Sequence, residues 1–202
     1  MKKIIIVDYG LGNLRSVKRG IEKSGGRPLI SSDIEVISSA EGIVLPGVGA
    51  FRDGMQQLGA LQKVLVASSS SVPILGICLG MQMLMDWSEE HGVHRGLGLI
   101  PGVVRRFPRR DGYKVPHMGW NTLTIPVAGH PLFEGIPSGE YMYFVHSYYA
   151  DTDTTHTLAG TEYVCPFSSA IWNQDCVYGV QFHPEKSGAA GLRMLHNFIA
   201  MV

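Results

Sequence analysis

The chain has 202 residues, of which 45% are hydrophobic and 17% charged. That is long enough for one domain, expected over 1–202, with a real core, and too apolar for a disordered chain. Lys+Arg and Asp+Glu both number 17, so no charge excess points to nucleic acid or a membrane surface. Three cysteines (Cys78, Cys165, Cys176) give neither a Cys-x-x-Cys pair nor a metal-ligand spacing, so no metal, cofactor or disulfide framework is expected. With no signal segment and no apolar run of about 18 residues, the expected location is the cytoplasm.

Ile4-Ile5-Ile6-Val7, closed by Asp8, is a short continuous apolar run of the kind found in central parallel strands. Gly10 and Gly12 lead into Asn13, a helix N-cap, and a helix to about Ser24. A dinucleotide fingerprint fails there, because Arg15 stands where the third glycine belongs. Arg27 to Ser31 and Gly42 to Leu45 read as the next two strands, the latter running into the loop Pro46-Gly47-Val48-Gly49. Phe51 to Ser71 is expected as a helix. This β–α–β order predicts an α/β fold: an open, mainly parallel, flavodoxin-like sheet flanked by helices. The ligand crevice of such a sheet lies beyond the carboxyl ends of its strands.

Pro73-Ile74-Leu75-Gly76-Ile77-Cys78-Leu79-Gly80-Met81-Gln82 has the layout of a nucleophile elbow, with cysteine in place of the serine of G-x-S-x-G. A helix to about Trp87 would aim its N-terminal dipole at the sulfur and favour the thiolate. Taken alone, Cys78 reads equally as a buried small hydrophobe. From Glu89 to Gly139 short strand-like pieces alternate with Gly and Pro, which predicts an antiparallel β excursion in the second half. The knot Arg105, Arg106, Arg109 and Arg110 reads as a solvated loop. Further strands are expected at 141–149 and near 157–160, 169–172 and 177–182, before a last helix from Ser187.

The strand Val177 to Phe182 ends at His183-Pro184-Glu185. In an extended chain residues i and i+2 share a side, and Pro184 holds His183 towards extended geometry. A Cys–His couple needs a base that takes the thiol proton and a carboxylate that orients it. Both motifs fall at strand ends on one edge of the sheet. Cys78, His183 and Glu185 are therefore the expected catalytic residues. A cysteine protein of the peptidase or chaperone kind and a non-enzymatic binding subunit remain alternatives.

Gly76-Ile77-Cys78-Leu79-Gly80-Met81-Gln82 and His183-Pro184-Glu185 resemble the signature of the class I, triad-type glutamine amidotransferases. The resemblance extends through Asp8-Tyr9-Gly10-Leu11-Gly12-Asn13, Pro46-Gly47-Val48-Gly49-Ala50-Phe51, Pro116-His117-Met118-Gly119-Trp120-Asn121 and Tyr143-Phe144-Val145-His146-Ser147-Tyr148. It implies hydrolysis of L-glutamine to glutamate and ammonia, with the ammonia passed to a cyclase partner, a (β/α)₈ barrel, in a heterodimer. It also implies an oxyanion hole from Leu79 and the Gly47–Val48 peptide, and substrate binding by Gly49, Gln82, His146, Ser147 and Tyr148. His117, Trp120, Tyr143 and Lys186 are the expected partner face. The 46–49 loop is expected to be the regulatory element, and nothing functional is carried over onto the 89–110 tract, whose role the sequence leaves open.

Overall fold

The computed structural model describes residues 2–126 and 129–202. The first half runs β1 (Lys3–Val7), α1 (Leu14–Lys23), β2 (Arg27–Ser31), α2 (Ile34–Ser38), β3 (Gly42–Gly47), α3 (Phe51–Leu58), α4 (Leu61–Ser68), β4 (Ile74–Cys78) and α5 (Leu79–Met83). The second half adds β5 (Met85–Ser88), β6 (His94–Arg95), β7 (Ile100–Arg106), β8 (His117–Thr122), β9 (Tyr141–His146), β10 (Tyr148–Asp151), β11 (Thr157–Glu162), β12 (Pro166–Trp172), β13 (Val177–Val180) and α6 (Gly188–Met201).

The main sheet has the order β2-β1-β3-β4-β13-β12-β10-β7-β5-β6, with β11 on β12. From β2 to β13 all neighbours are parallel, and β13-β12-β10-β7 continue antiparallel. The expected α/β fold with its antiparallel excursion is what forms. Strand β1 is apolar throughout because both of its faces are covered. Ile4 and Ile6 join the core on one side, Ile5 and Val7 the core on the other. Helix α1 starts where expected, with the Asn13 side chain accepting from Ser16 N–H.

Two helices differ from expectation. The run 51–71 is broken at Gly59, whose φ of +46° suits glycine, so α3 and α4 are separate. The helix after Cys78 ends at Met83, and Met85–Ser88 form β5 beside β7. Met81, Met83, Leu84 and Met85 are all fully buried. An apolar run buried on every side carries no period by which helix and strand can be told apart. The dipole behind the cysteine is therefore that of little more than one turn.

Strands β8 and β9 form a separate antiparallel ribbon, in register from His117 opposite His146 to Thr122 opposite Tyr141. Its two faces alternate with period two. Met142, Phe144, His117 and His146 point into the core, while Met118, Trp120 and Tyr141 stand 55–63% exposed. His117, expected on the partner face, is thus only 3% exposed. It lies on the inward side of the same strand that carries Trp120 outward, and the expectation is corrected accordingly.

Candidate active site

The C-terminal ends of β3, β4 and β13 lie side by side, with Gly47 in register with Cys78. Cys78 turns the chain from strand to helix at φ +56°, ψ −109°, a positive-φ conformation outside the left-handed helical region and strained for any residue but glycine. The turn closes because its neighbours are glycines. A Cβ on Gly80 would run into the Leu45 carbonyl, and one on Gly76 would stand 2.7 Å from Met81 N. The elbow is thus wedged against β3 from behind while the thiol faces outward.

His183 follows β13 at φ −101°, ψ 94°, the extended geometry that a following proline favours. Glu185 reaches it differently from the expected i, i+2 strand arrangement. Residues 184–186 form one turn of 3-10 helix, since Pro184 starts a helical turn readily, and the carboxylate folds back. His183 Nδ1 lies 2.9 Å from Glu185 Oε1, with both side chains almost fully buried. Burial opposes charging of this imidazole, but interaction with Cys78 and Glu185 outweighs it and raises the pKa to about 9. The buried Nε2 makes no hydrogen bond of ordinary geometry. Its approach to the thiol is therefore long or poorly aligned, as is common for catalytic pairs without substrate.

The turn is tied to the ribbon. His183 N–H donates to Tyr143 O at 2.9 Å, Tyr143 N–H donates to Ser187 Oγ at 3.0 Å, and the Ser187 hydroxyl donates to His183 O.

Cys78 and His183 open into a cavity of about 360 Å³. Val48 and Gly49 come to its wall from the loop after β3, Leu79 and Gln82 from the elbow, and His146, Ser147 and Tyr148 from the end of β9 and the start of β10. Gly49 holds φ +101°. Gly47 is buried beneath the Tyr9 hydroxyl, which donates to Pro46 O at 2.7 Å. Burial, and then the nearby Cys78, push the Tyr9 phenol well above its ordinary value. Outside the cavity, Trp120 meets Tyr143 edge-on at 6.0 Å, and Lys186 Nζ lies 5.9 Å from the Tyr143 ring centre. These three form one outward ladder.

Sequence reasoning missed two residues of the site. Glu90 lines the cavity, and its Oε2 accepts from Phe51 N–H at 2.7 Å, capping α3. No periodic pattern surrounds it to give a signal. Gln181, fully buried, places Nε2 3.7 Å from the Cys78 sulfur and accepts at Oε1 from Gln82 Nε2 at 3.0 Å. Its position two before His183, just past the end of β13, was a usable signal.

An activated cysteine beside a carboxylate-backed histidine equips this cavity for acyl transfer through a thioester. The chain belongs to the glutamine amidotransferase class-I family, whose profile matches residues 5–202. Within that family it is 53% identical to the imidazole glycerol phosphate synthase subunit HisH of Methanosarcina mazei, over the whole of both chains. It is 49% identical to the subunit of the same name from Archaeoglobus fulgidus, over 98% of each. The fold is shared with PurLQS from Thermotoga maritima (TM-score 0.73, 18% identity, 100% of this chain and 99% of that one). It is also shared with the glutaminase domain of Trypanosoma brucei CTPS (TM-score 0.68, 18% identity, 100% and 94%).

Proposed function

We propose that this chain is the glutaminase subunit of an imidazole glycerol phosphate synthase. It hydrolyses L-glutamine to L-glutamate and ammonia, and a cyclase partner uses the ammonia to make imidazole glycerol phosphate and aminoimidazole carboxamide ribotide in histidine biosynthesis. The observation that carries the chemistry is the Cys78 elbow facing a His183–Glu185 pair closed at 2.9 Å. Full-length relatedness to subunits of that name supports the pathway.

His183, charged at neutral pH, already holds the thiol proton at Nε2 when the Cys78 sulfur attacks the side-chain amide carbon of glutamine. The imidazolium, oriented by Glu185, gives that proton to the amide nitrogen. The C–N bond breaks, ammonia leaves and a thioester remains. Water then loses a proton to His183 and attacks the thioester; glutamate departs and the thiol is restored. The Leu79 N–H and the Gly47–Val48 peptide serve the oxyanion. Gly49, Gln82 and the backbone of His146, Ser147 and Tyr148 hold the amino-acid end of the substrate. The Glu90 carboxylate, with Oε1 not engaged by the α3 cap, answers the α-ammonium.

Trp120, Tyr143 and Lys186, widened by Met118 and Tyr141, form the face for a (β/α)₈-barrel cyclase in a cytoplasmic heterodimer, the whole chain acting as one amidotransferase domain. The 46–49 loop is the gate, completing the oxyanion hole when the partner is loaded. The test is glutaminase turnover with and without the cyclase and its nucleotide ligand, for wild type and Cys78→Ala. Ammonia release that depends on the loaded partner and vanishes in Cys78→Ala, while the two subunits still co-purify, is the expected result. Undiminished release by Cys78→Ala overturns the mechanism, and high partner-independent turnover overturns the gate.

A further inference from the structure

Behind the cavity wall lies a chain of polar side chains that the reaction itself does not use. A carbonyl oxygen can only accept, so Tyr148 O, 2.8 Å from His146 Nδ1, must receive a proton held there. In a neutral imidazole the other nitrogen is then an acceptor. His146 Nε2 lies 3.0 Å from His117 Nδ1, so His117 must also carry its proton on Nδ1. His117 Nε2 is then left to accept from Asn121 Nδ2 at 3.3 Å. The second amide proton of Asn121 goes to Glu162 O at 2.9 Å, and its Oδ1 accepts from Thr122 N–H at 2.8 Å. Every proton has one place. The His117 ring is held flat between Phe144 (5.0 Å) and Tyr163 (4.0 Å).

At its other end the chain reaches the site. The Tyr148 carbonyl that takes the His146 proton also accepts from Gln82 Nε2 at 3.0 Å. Gln82 in turn donates to Gln181, beside the Cys78 sulfur. Extra protons on either ring would set N–H against N–H, and burial keeps both neutral, at about 4 for His117 and about 3 for His146.

We propose that His117 is a positioning residue for glutamine: through His146 it fixes the Tyr148 peptide, and with it the cavity wall that receives the amino-acid end of the substrate. The proposal rests on the glutaminase reading above and deepens it. His117 touches neither substrate nor nucleophile, so its loss acts on binding rather than on bond breaking.

His117→Phe keeps the ring between its two aromatic neighbours and removes both nitrogens. In the assembled complex with the cyclase, KM for glutamine should rise about tenfold, the equivalent of one ordinary hydrogen bond, with kcat changed less than about twofold. His117→Asn returns an amide N–H to the place of Nδ1 and should restore most of the affinity. A folded His117→Phe complex with unchanged KM overturns the proposal, even if its thermal stability falls. Independently of activity, ¹⁵N NMR of the wild-type chain should show both rings protonated on Nδ1, the less common tautomer. Finding His146 protonated on Nε2 overturns the proposal even where His117→Phe fails to fold. A wild-type complex that releases no ammonia would instead sink the glutaminase reading and leave the tautomer result to stand on its own.

Discussion

Among the described residues four buried histidines divide the electrostatics between two opposite states, with His130 lowered by its burial as His117 and His146 are. Against the ordinary value of 6.5, His183 is raised to about 9 despite a burial that works the other way, and His117 and His146 are lowered by burial to about 4 and 3. The raised group stabilises the fold fully below pH 6.5 and loses that contribution as pH climbs through 9. The lowered groups do the reverse: their contribution is whole above 6.5 and is lost as pH falls towards 4 and 3. Stability is therefore expected to peak near pH 6.5 and decline on both sides, by on the order of 3 kcal/mol on the alkaline limb and by more on the acid limb, where the contributions of several groups add. Urea midpoints between pH 4.5 and 9.5 measure it. His183→Asn should flatten the alkaline limb and His117→Asn should shallow the acid one. A wild-type profile still rising at pH 9 would refute the assignment of a charged His183.

At the scale of the element, the elbow is built by what its glycines leave out. A Cβ at position 80 meets the Leu45 carbonyl of the neighbouring strand, which cannot move without breaking the sheet. Gly80→Ala is therefore expected to cost about 3 kcal/mol or more, read as a lowered urea midpoint. Gly49→Ala makes a contrast, because nothing lies within 4 Å of a Cβ there and only the φ of +101° resists it. It should leave the bulk of the stability in place. Equal losses from the two substitutions would show that packing behind the elbow is not what holds it.

Much of this was legible because strand and site coincide. The apolar runs at Ile4–Val7, Gly42–Leu45 and Ile74–Ile77 ended in chemistry-bearing residues, and strand ends are where an α/β sheet keeps its ligands. What escaped reading lacked a local signal. The turn that folds Glu185 onto His183 depends on Pro184 as a helix starter, not only as a strand stiffener. Glu90 reaches the cavity by capping a helix 39 residues before it in the chain, a contact no periodicity announces. His117 was misplaced because its motif was read as a block, whereas the alternation of β8 separates it from Trp120.

Across the whole molecule, one sheet carries both the parallel half and the antiparallel excursion, and the site sits at the ends of β3, β4 and β13, the last being the strand at which pairing turns antiparallel. The ribbon of β8 and β9 lies on this body with its back to the cavity wall and its front to solvent. In the proposed heterodimer Trp120 is the aromatic anchor of that front, supported by Tyr143 and Lys186. Trp120→Ala should weaken binding to the cyclase by about 2 kcal/mol, roughly thirtyfold in Kd, measured by titration calorimetry. An unchanged Kd would move the interface elsewhere.

That same front has a consequence for the life of the chain before it is assembled. Met118, Trp120 and Tyr141 lie on one exposed face of a two-stranded ribbon, an apolar surface that water tolerates poorly and that another such surface would welcome. Copies made in excess of their partner will tend to adhere to one another there. Matched synthesis of the two subunits then protects solubility as well as supplying the pathway with ammonia.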